Sequence, residues 1–173
     1  MNTKLFVATM LVAGSALTMA QESKPIGLSV RGGPFFPTAN FGRNEGKTWF
    51  GFGADYRLAN AKMGSMMSNE TSHIQLSVDF RSKGDLSTVP IMVNYVIHNK
   101  ELFYSAGAGV SFDRDYTIVA NARSKRNKVG GAFQVGIGYE FQKGTTPFFL
   151  EGRYFFHTNS NFNGVGVFAG IRL

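Results

Sequence analysis

Eight stretches of this chain alternate apolar and polar residues with a period of two. In HIQLSVDFRS (73–82), Ile74, Leu76, Val78 and Phe80 interleave with Gln75, Ser77, Asp79 and Arg81. The same alternation marks IGLSVRG (26–32), TWFGFGADYRL (48–58), STVPIMVNYVIH (87–98), LFYSAGAGVSF (102–112), GGAFQVGIGYEF (130–141), PFFLEGRYFFH (147–157) and FNGVGVFAGIRL (162–173). Successive side chains of a strand point to opposite faces, so each stretch is a strand with one apolar face. Most run about ten residues, the length of a tilted strand that crosses a bilayer. No long segment carries a helical period, and no linker divides the chain. Only an all-β fold built from hairpins satisfies such a pattern.

Glycine decides which face is wet. The polar face carries the pairs Gly51/Gly53, Gly107/Gly109, Gly136/Gly138 and Gly164/Gly166. A solvated strand face favours Thr, Lys or Glu, because glycine weakens a strand and packs nothing. Inside an eight-stranded barrel, the backbone curves tightly and side chains crowd, and there glycine is useful. The apolar face ends in aromatic residues: Phe50, Tyr56, Tyr95, Tyr104, Phe112, Tyr139, Phe141, Phe148, Tyr154 and Phe156. Aromatic girdles of this kind mark the two interfaces of a membrane. The sequence therefore predicts an inverted protein, with the apolar face toward lipid and the polar face toward a lumen. A soluble lipocalin-like barrel, with the aromatics as core, is the competing arrangement. Charged residues make up 17% of the chain, below the roughly 25% usual for soluble domains.

Residues 1–20, MNTKLFVATMLVAGSALTMA, have Lys4, an apolar run and a small-residue end at Ala20. That layout predicts a secretory signal peptide, leaving 21–173 as one barrel domain. The absence of cysteine excludes disulfides, thiol chemistry and a lipid-attachment cysteine. Formal charge is +7, falling to +6 without Lys4. For an exported chain this points to anionic lipids or glycans rather than nucleic acid.

On these assignments Arg31, Arg57, Arg81, Arg153 and Arg172 share the lumen with Asp55, Asp79, Glu140 and Glu151. Near-balance is what a desolvated space requires, since an unpaired buried charge is costly. The expectation is a plugged barrel with a charge network. The connection 113–128 reads as a long outer loop, and within it Arg123, Lys125, Arg126 and Lys128 are candidate contacts for lipopolysaccharide phosphates or anionic glycans. The connection 36–47 reads as a second outer loop, and 59–72 is unexpectedly long for the opposite side. His73, His98 and His157 fall near strand ends without metal-ligand spacing and read as interfacial polar residues. No catalytic residue, cofactor site or metal site is legible. His157 with Ser87 or Ser160 at the outer rim is the one arrangement that suggests a lipid-modifying enzyme.

The segments VPIMVNYVI, LFYSAGAGVSF, GGAFQVGIGYEF, FLEGRYFF and GVFAGIRL together resemble the outer membrane protein β-barrel domain family, the OmpA/OmpX-like eight-stranded barrels, across residues 25–173. The resemblance implies an up-and-down antiparallel barrel in the bacterial outer membrane, surrounded by its lipids and lipopolysaccharide. It also implies insertion by the outer-membrane assembly machinery, which reads the last strand. Val165, Val167, Ala169 and Ile171 keep the family's alternation, whereas the usual terminal aromatic is Leu173. The function expected is a monomeric, non-enzymatic envelope protein, with surface binding through basic loops. A narrow channel or hydrophobic-ligand conduit of the OmpW type is the alternative.

Overall fold

A computed structural model describes residues 27–61, 70–119, 122–141 and 147–173. Eight strands, β1 (Leu28–Pro37), β2 (Trp49–Ala61), β3 (Glu70–Lys83), β4 (Leu86–Asn99), β5 (Leu102–Val119), β6 (Ala122–Phe141), β7 (Phe148–His157) and β8 (Gly164–Arg172), pair in chain order. β1 also pairs with β8, with Val30 opposite Ile171, which closes the sheet into an all-antiparallel barrel. Closure pairs every strand on both sides within the barrel, a requirement for a sheet placed in hydrocarbon. The start of β1 and the end of β8 lie at one mouth, called here the terminal mouth. The expected signal peptide lies outside the described residues, as does Ile26.

The facing follows the sequence. Phe50 and Phe133 are 65% and 54% exposed, while Arg81 and Glu151 are 0% and 2% exposed. The outward belt of β3, β4 and β5 (Ile74 to Phe80, Val89 to Ile97, Leu102 to Val110) contains no charged side chain. Aromatics bound it at both ends, with Tyr56, Tyr104, Tyr139 and Phe148 near the terminal mouth and Phe50, Phe112 and Phe156 near the other.

Inward, the lumen is filled. Phe103 and Phe149 meet edge to face near the terminal mouth, at 5.9 Å between ring centroids. Phe35, Trp49, Met92, Phe155 and Phe168 pack in the opposite half. The inward glycines are the holes that these side chains occupy. A Cβ at Gly51 would lie 3.0 Å from Cγ of Arg81 and 3.2 Å from the Phe168 ring, and one at Gly170 would lie 2.7 Å from Cε1 of Phe149. The G-x-G pairs thus set the barrel's packing, with small residues on one strand facing large ones on its neighbours.

Three expectations are corrected. β1 continues past Gly32 to Pro37, because Phe35 turns inward and extends the alternation beyond the charged stretch. The connection 36–47 contains a one-and-a-half-turn helix, α1 (Asn40–Glu45), rather than only loop. The supposed loop 113–128 is a hairpin, pairing from Asp113↔Lys128 to Val119↔Ala122, and it carries β5 past the barrel after Arg114, the last residue paired with β4. Tyr116, Thr117, Ile118 and Val119 are strong strand formers, and opposite charges across the ladder replace the apolar face. The long connection 59–72 is shortened by pairs as far as Ala61↔Ser72, after a bulge at Leu58; its remainder, 62–69, lies outside the described residues. The β3–β4 connection is two residues, with Gly84 at φ +58° supplying the left-handed backbone it needs.

Candidate functional site

The lumen is the candidate site, and its centre is a polar network spanning the barrel. Arg31 on β1 pairs with Asp55 on β2 and with Asp79 on β3, the latter at 2.7 Å. Arg153 on β7 reaches across to Asp55 at 3.3 Å and holds Glu151 at 2.5 Å. Ser77 donates to the second Asp55 oxygen. Asn94 Nδ2 donates to Ser77, Gln134 Nε2 donates to Asn94, and Arg153 Nη1 donates to Gln134 at 3.2 Å. Strand parity had put the neutral members of this chain inside but had not joined them to the charges. Amide groups that both donate and accept let the network cross from one wall to the other.

Arg81 is buried in the lumen without an ion-pair contact to a carboxylate among the described residues. Arg31 and Arg153 each pair with a carboxylate, whereas Arg81 hydrogen-bonds His157 Nε2 at 3.0 Å instead. Its guanidinium lies 3.9 Å from the Phe155 ring centre and 4.7 Å from that of Phe35. Aromatic faces carry negative quadrupole density, so these rings take part of the place of a counter-ion. His157 is therefore a lumen residue, with its side chain fully buried and its Nδ1 3.8 Å from Asp113. Its expected interfacial place is corrected, and its Nε2 is engaged by Arg81. His73 also turns inward and is 1% exposed, while His98 stacks on it at 5.3 Å. Sequence reasoning missed Asp113, which Thr88 and Ser111 hold by hydrogen bonds of 2.6 and 3.3 Å, because it fell in the assumed loop. Among the described residues no cluster of three metal-ligating side chains exists.

At the terminal mouth Arg172 pairs with Glu140 at 2.9 Å. Arg57, expected inside the lumen, is exposed at this mouth and is bonded to His73 Nδ1 at 3.0 Å. It keeps its register, opposite inward Gln75, and is exposed because it lies at the end of the barrel, beyond the last β1–β2 pair, Leu28↔Tyr56.

The opposite mouth is capped. α1 lies over it, held by Trp49 Nε1, which donates to the carbonyls of Gly42 and Gly46 at 3.3 and 3.0 Å. Phe162, in a 3-10 turn before β8, is fully buried against Trp49. The extended hairpin locks the cap: Tyr116 donates to Glu45 at 2.6 Å and its ring packs on Phe41. The basic cluster belongs to this lock. Arg123 pairs with Glu45 and Asp85 at 3.1 Å each, and Lys125 with Asp85 at 2.8 Å. Lys128 and Arg126 pair with Asp115 at 2.6 and 3.8 Å. Hydrogen bonds from Lys125 and Arg123 hold the Asp85 carboxyl below its usual range. The four cations named as candidate anion contacts are here shared among Glu45, Asp85 and Asp115.

The class defined by this fold is the closed eight-stranded antiparallel barrel with an apolar outside and a polar, filled inside. Solved structures of that class are similar to the chain. The N-terminal β-barrel domain of Pseudomonas aeruginosa OprF aligns over 84% of this chain and 94% of its own, with a TM-score of 0.52 at 9% identity. The outer membrane enzyme PagL aligns over 83% of this chain and 97% of its own, with a TM-score of 0.50 at 12% identity. At such identities the likeness is one of fold. No protein-family model matches the chain, and no curated protein matches it.

Proposed function

We propose that this chain is a monomeric, non-enzymatic barrel of the bacterial outer membrane whose lumen is sealed, and that it contributes to the integrity of the envelope. The observation that carries this reading is the filled cross-section: Phe35, Arg81, Phe155, Trp49 and Phe162 are each no more than 1% exposed, between the central network and the capped mouth. On this reading the terminal mouth faces the periplasm and the capped mouth faces outward, after removal of residues 1–20 by a signal peptidase. Outer-membrane lipids and lipopolysaccharide surround the belt, and the assembly machinery engages β8.

The capped mouth would be the surface that other molecules meet. Arg123, Lys125, Arg126 and Lys128 clamp the cap first, and their solvent-facing sides are what remains for lipopolysaccharide phosphates or anionic glycans. The non-enzymatic reading rests on His157, whose Nε2 faces Arg81 within the sealed lumen, out of reach of a lipid chain. Recording in planar bilayers tests the sealed lumen: the purified protein should show negligible conductance. Steady, reproducible openings would replace this reading with a narrow conduit of the OmpW type.

A further inference from the structure

The terminal mouth contains more hydrogen-bond donors than its neighbours can use. A cavity of about 50 Å³ lies there, lined by Ser29, Arg57, His73, Gln75 and Arg172. One water requires only about 10–15 Å³ of such space, so the cavity has room for a compact polar group of a few heavy atoms.

The hydrogen bonding makes this cavity donor-rich. Guanidinium nitrogens only donate, so His73 Nδ1, 3.0 Å from Arg57 Nη2, must accept. The His73 proton is then on Nε2, which faces Gln75 Oε1 at 3.3 Å and donates to it. With its oxygen engaged, Gln75 presents its NH₂ group to the remaining space. Arg172 Nε is buried with no partner, while its Nη2 holds Glu140, the one carboxylate within 4 Å of either guanidinium among the described residues. Among the described residues, two permanent cations thus face the cavity with a single anion between them, and no carboxylate lies within 4 Å of the Arg57 guanidinium. Ser29 adds a hydroxyl. The site asks for a small group that only accepts and carries negative charge.

We infer that the terminal mouth is a binding site for one phosphate-type oxyanion, held between Arg57 and Arg172 with Gln75 and Ser29 as further donors. Paired guanidiniums match the geometry of phosphate oxygens better than ammonium groups do. The same chemistry is offered by free phosphate and by the phosphodiester of a membrane lipid whose headgroup reaches the rim. The site is separate from the sealed lumen, so its failure would leave the proposed function intact.

The test uses protein extracted from membranes and exchanged into a maltoside detergent, which carries no phosphate. Inorganic phosphate is titrated at constant ionic strength and the heat of binding is followed. Saturable binding is expected, at least tenfold weaker in Arg57→Gln and Arg172→Gln. Arg57→Lys should retain part of it, and Lys128→Gln at the opposite mouth should leave it unchanged. A gel shift on boiling checks that each variant is folded. Should Arg172→Gln not fold, the exposed Arg57→Gln decides. No saturable binding by the native chain, or equal binding by folded Arg57→Gln, overturns the inference. The titration is then repeated in phospholipid nanodiscs. Loss of the response there would identify the lipid phosphodiester as occupant and persistence would identify free phosphate; both support the site.

Discussion

Asp55→Ala should be the most damaging single substitution in the lumen, costing on the order of 3–5 kcal/mol. Asp55 receives Arg31, Arg153 and Ser77 at once, from three other strands. Removing it leaves two guanidiniums facing each other's field, with only Asp79 and Glu151 to share. A buried pair stripped of one member loses its attraction and keeps the full desolvation cost of the survivor. Urea unfolding in lipid vesicles, followed by the fluorescence of Trp49, measures the change. The exposed Glu101, which has no ion-pair partner among the described residues, is the reference: Glu101→Ala should change stability by less than about 0.5 kcal/mol. Equal losses at the two positions would mean that the lumen charges are not a network.

Val78→Arg should be nearly as costly for the opposite reason. Val78 is outward, 40% exposed and midway along β3, opposite Ala54 on one side and Ile91 on the other. An arginine at mid-belt on the lipid side of a barrel costs about 2–4 kcal/mol, because no aqueous surface is within reach of its guanidinium. The same unfolding experiment reads this loss. The facing assignment fails if the variant is as stable as the parent. Together the two substitutions separate the barrel's environments: removing a charge hurts inside, and adding one hurts outside.

The contrast explains what the sequence could and could not reveal. Hydrocarbon tolerates no polar side chain, so the outward positions, such as Ile74 to Phe80 or Leu102 to Val110, obey a strict rule and their parity is readable. The lumen obeys a looser one. It accepts Arg81 beside Phe35 and Phe155, so Phe103, Phe149, Phe155 and Phe168 sit on the face that alternation marks as polar. Their signal was indirect, in the inward glycines that leave space for them. Gly166 and Gly51 were legible as holes, but nothing in the sequence said that Phe168 fills them.

Partnering was less legible than placement. Arg31, Asp55, Asp79, Glu151 and Arg153 lie in the lumen, yet which acid meets which base depends on barrel stagger, which periodicity does not encode. Arg57 keeps the parity that alternation gives it, opposite inward Gln75, and its exposure follows from its height at the terminal mouth, beyond the last pair of β1 with β2. The hairpin beyond Phe112 was hidden because its alternation pairs charge with charge rather than apolar with polar. Asp113 and Asp115 face inward on β5, and the opposing Lys128 and Arg126 on β6 complement them. The cap also depends on contacts distant in sequence, such as Tyr116 with Glu45, that no local pattern announces.

The central claim is that the apolar stripe of each strand is solvated by lipid tails. The chain has no cysteine, so single cysteines can be placed without background. A nitroxide attached in turn at 74, 76, 78 and 80, with the protein in lipid bilayers, reports collisions with oxygen, which dissolves in hydrocarbon, and with a polar nickel chelate, which does not. The ratio of oxygen to nickel accessibility should rise from position 74 toward 78 and be high at every site. Nickel accessibility throughout this stripe, as for a surface bathed in water, would contradict the account.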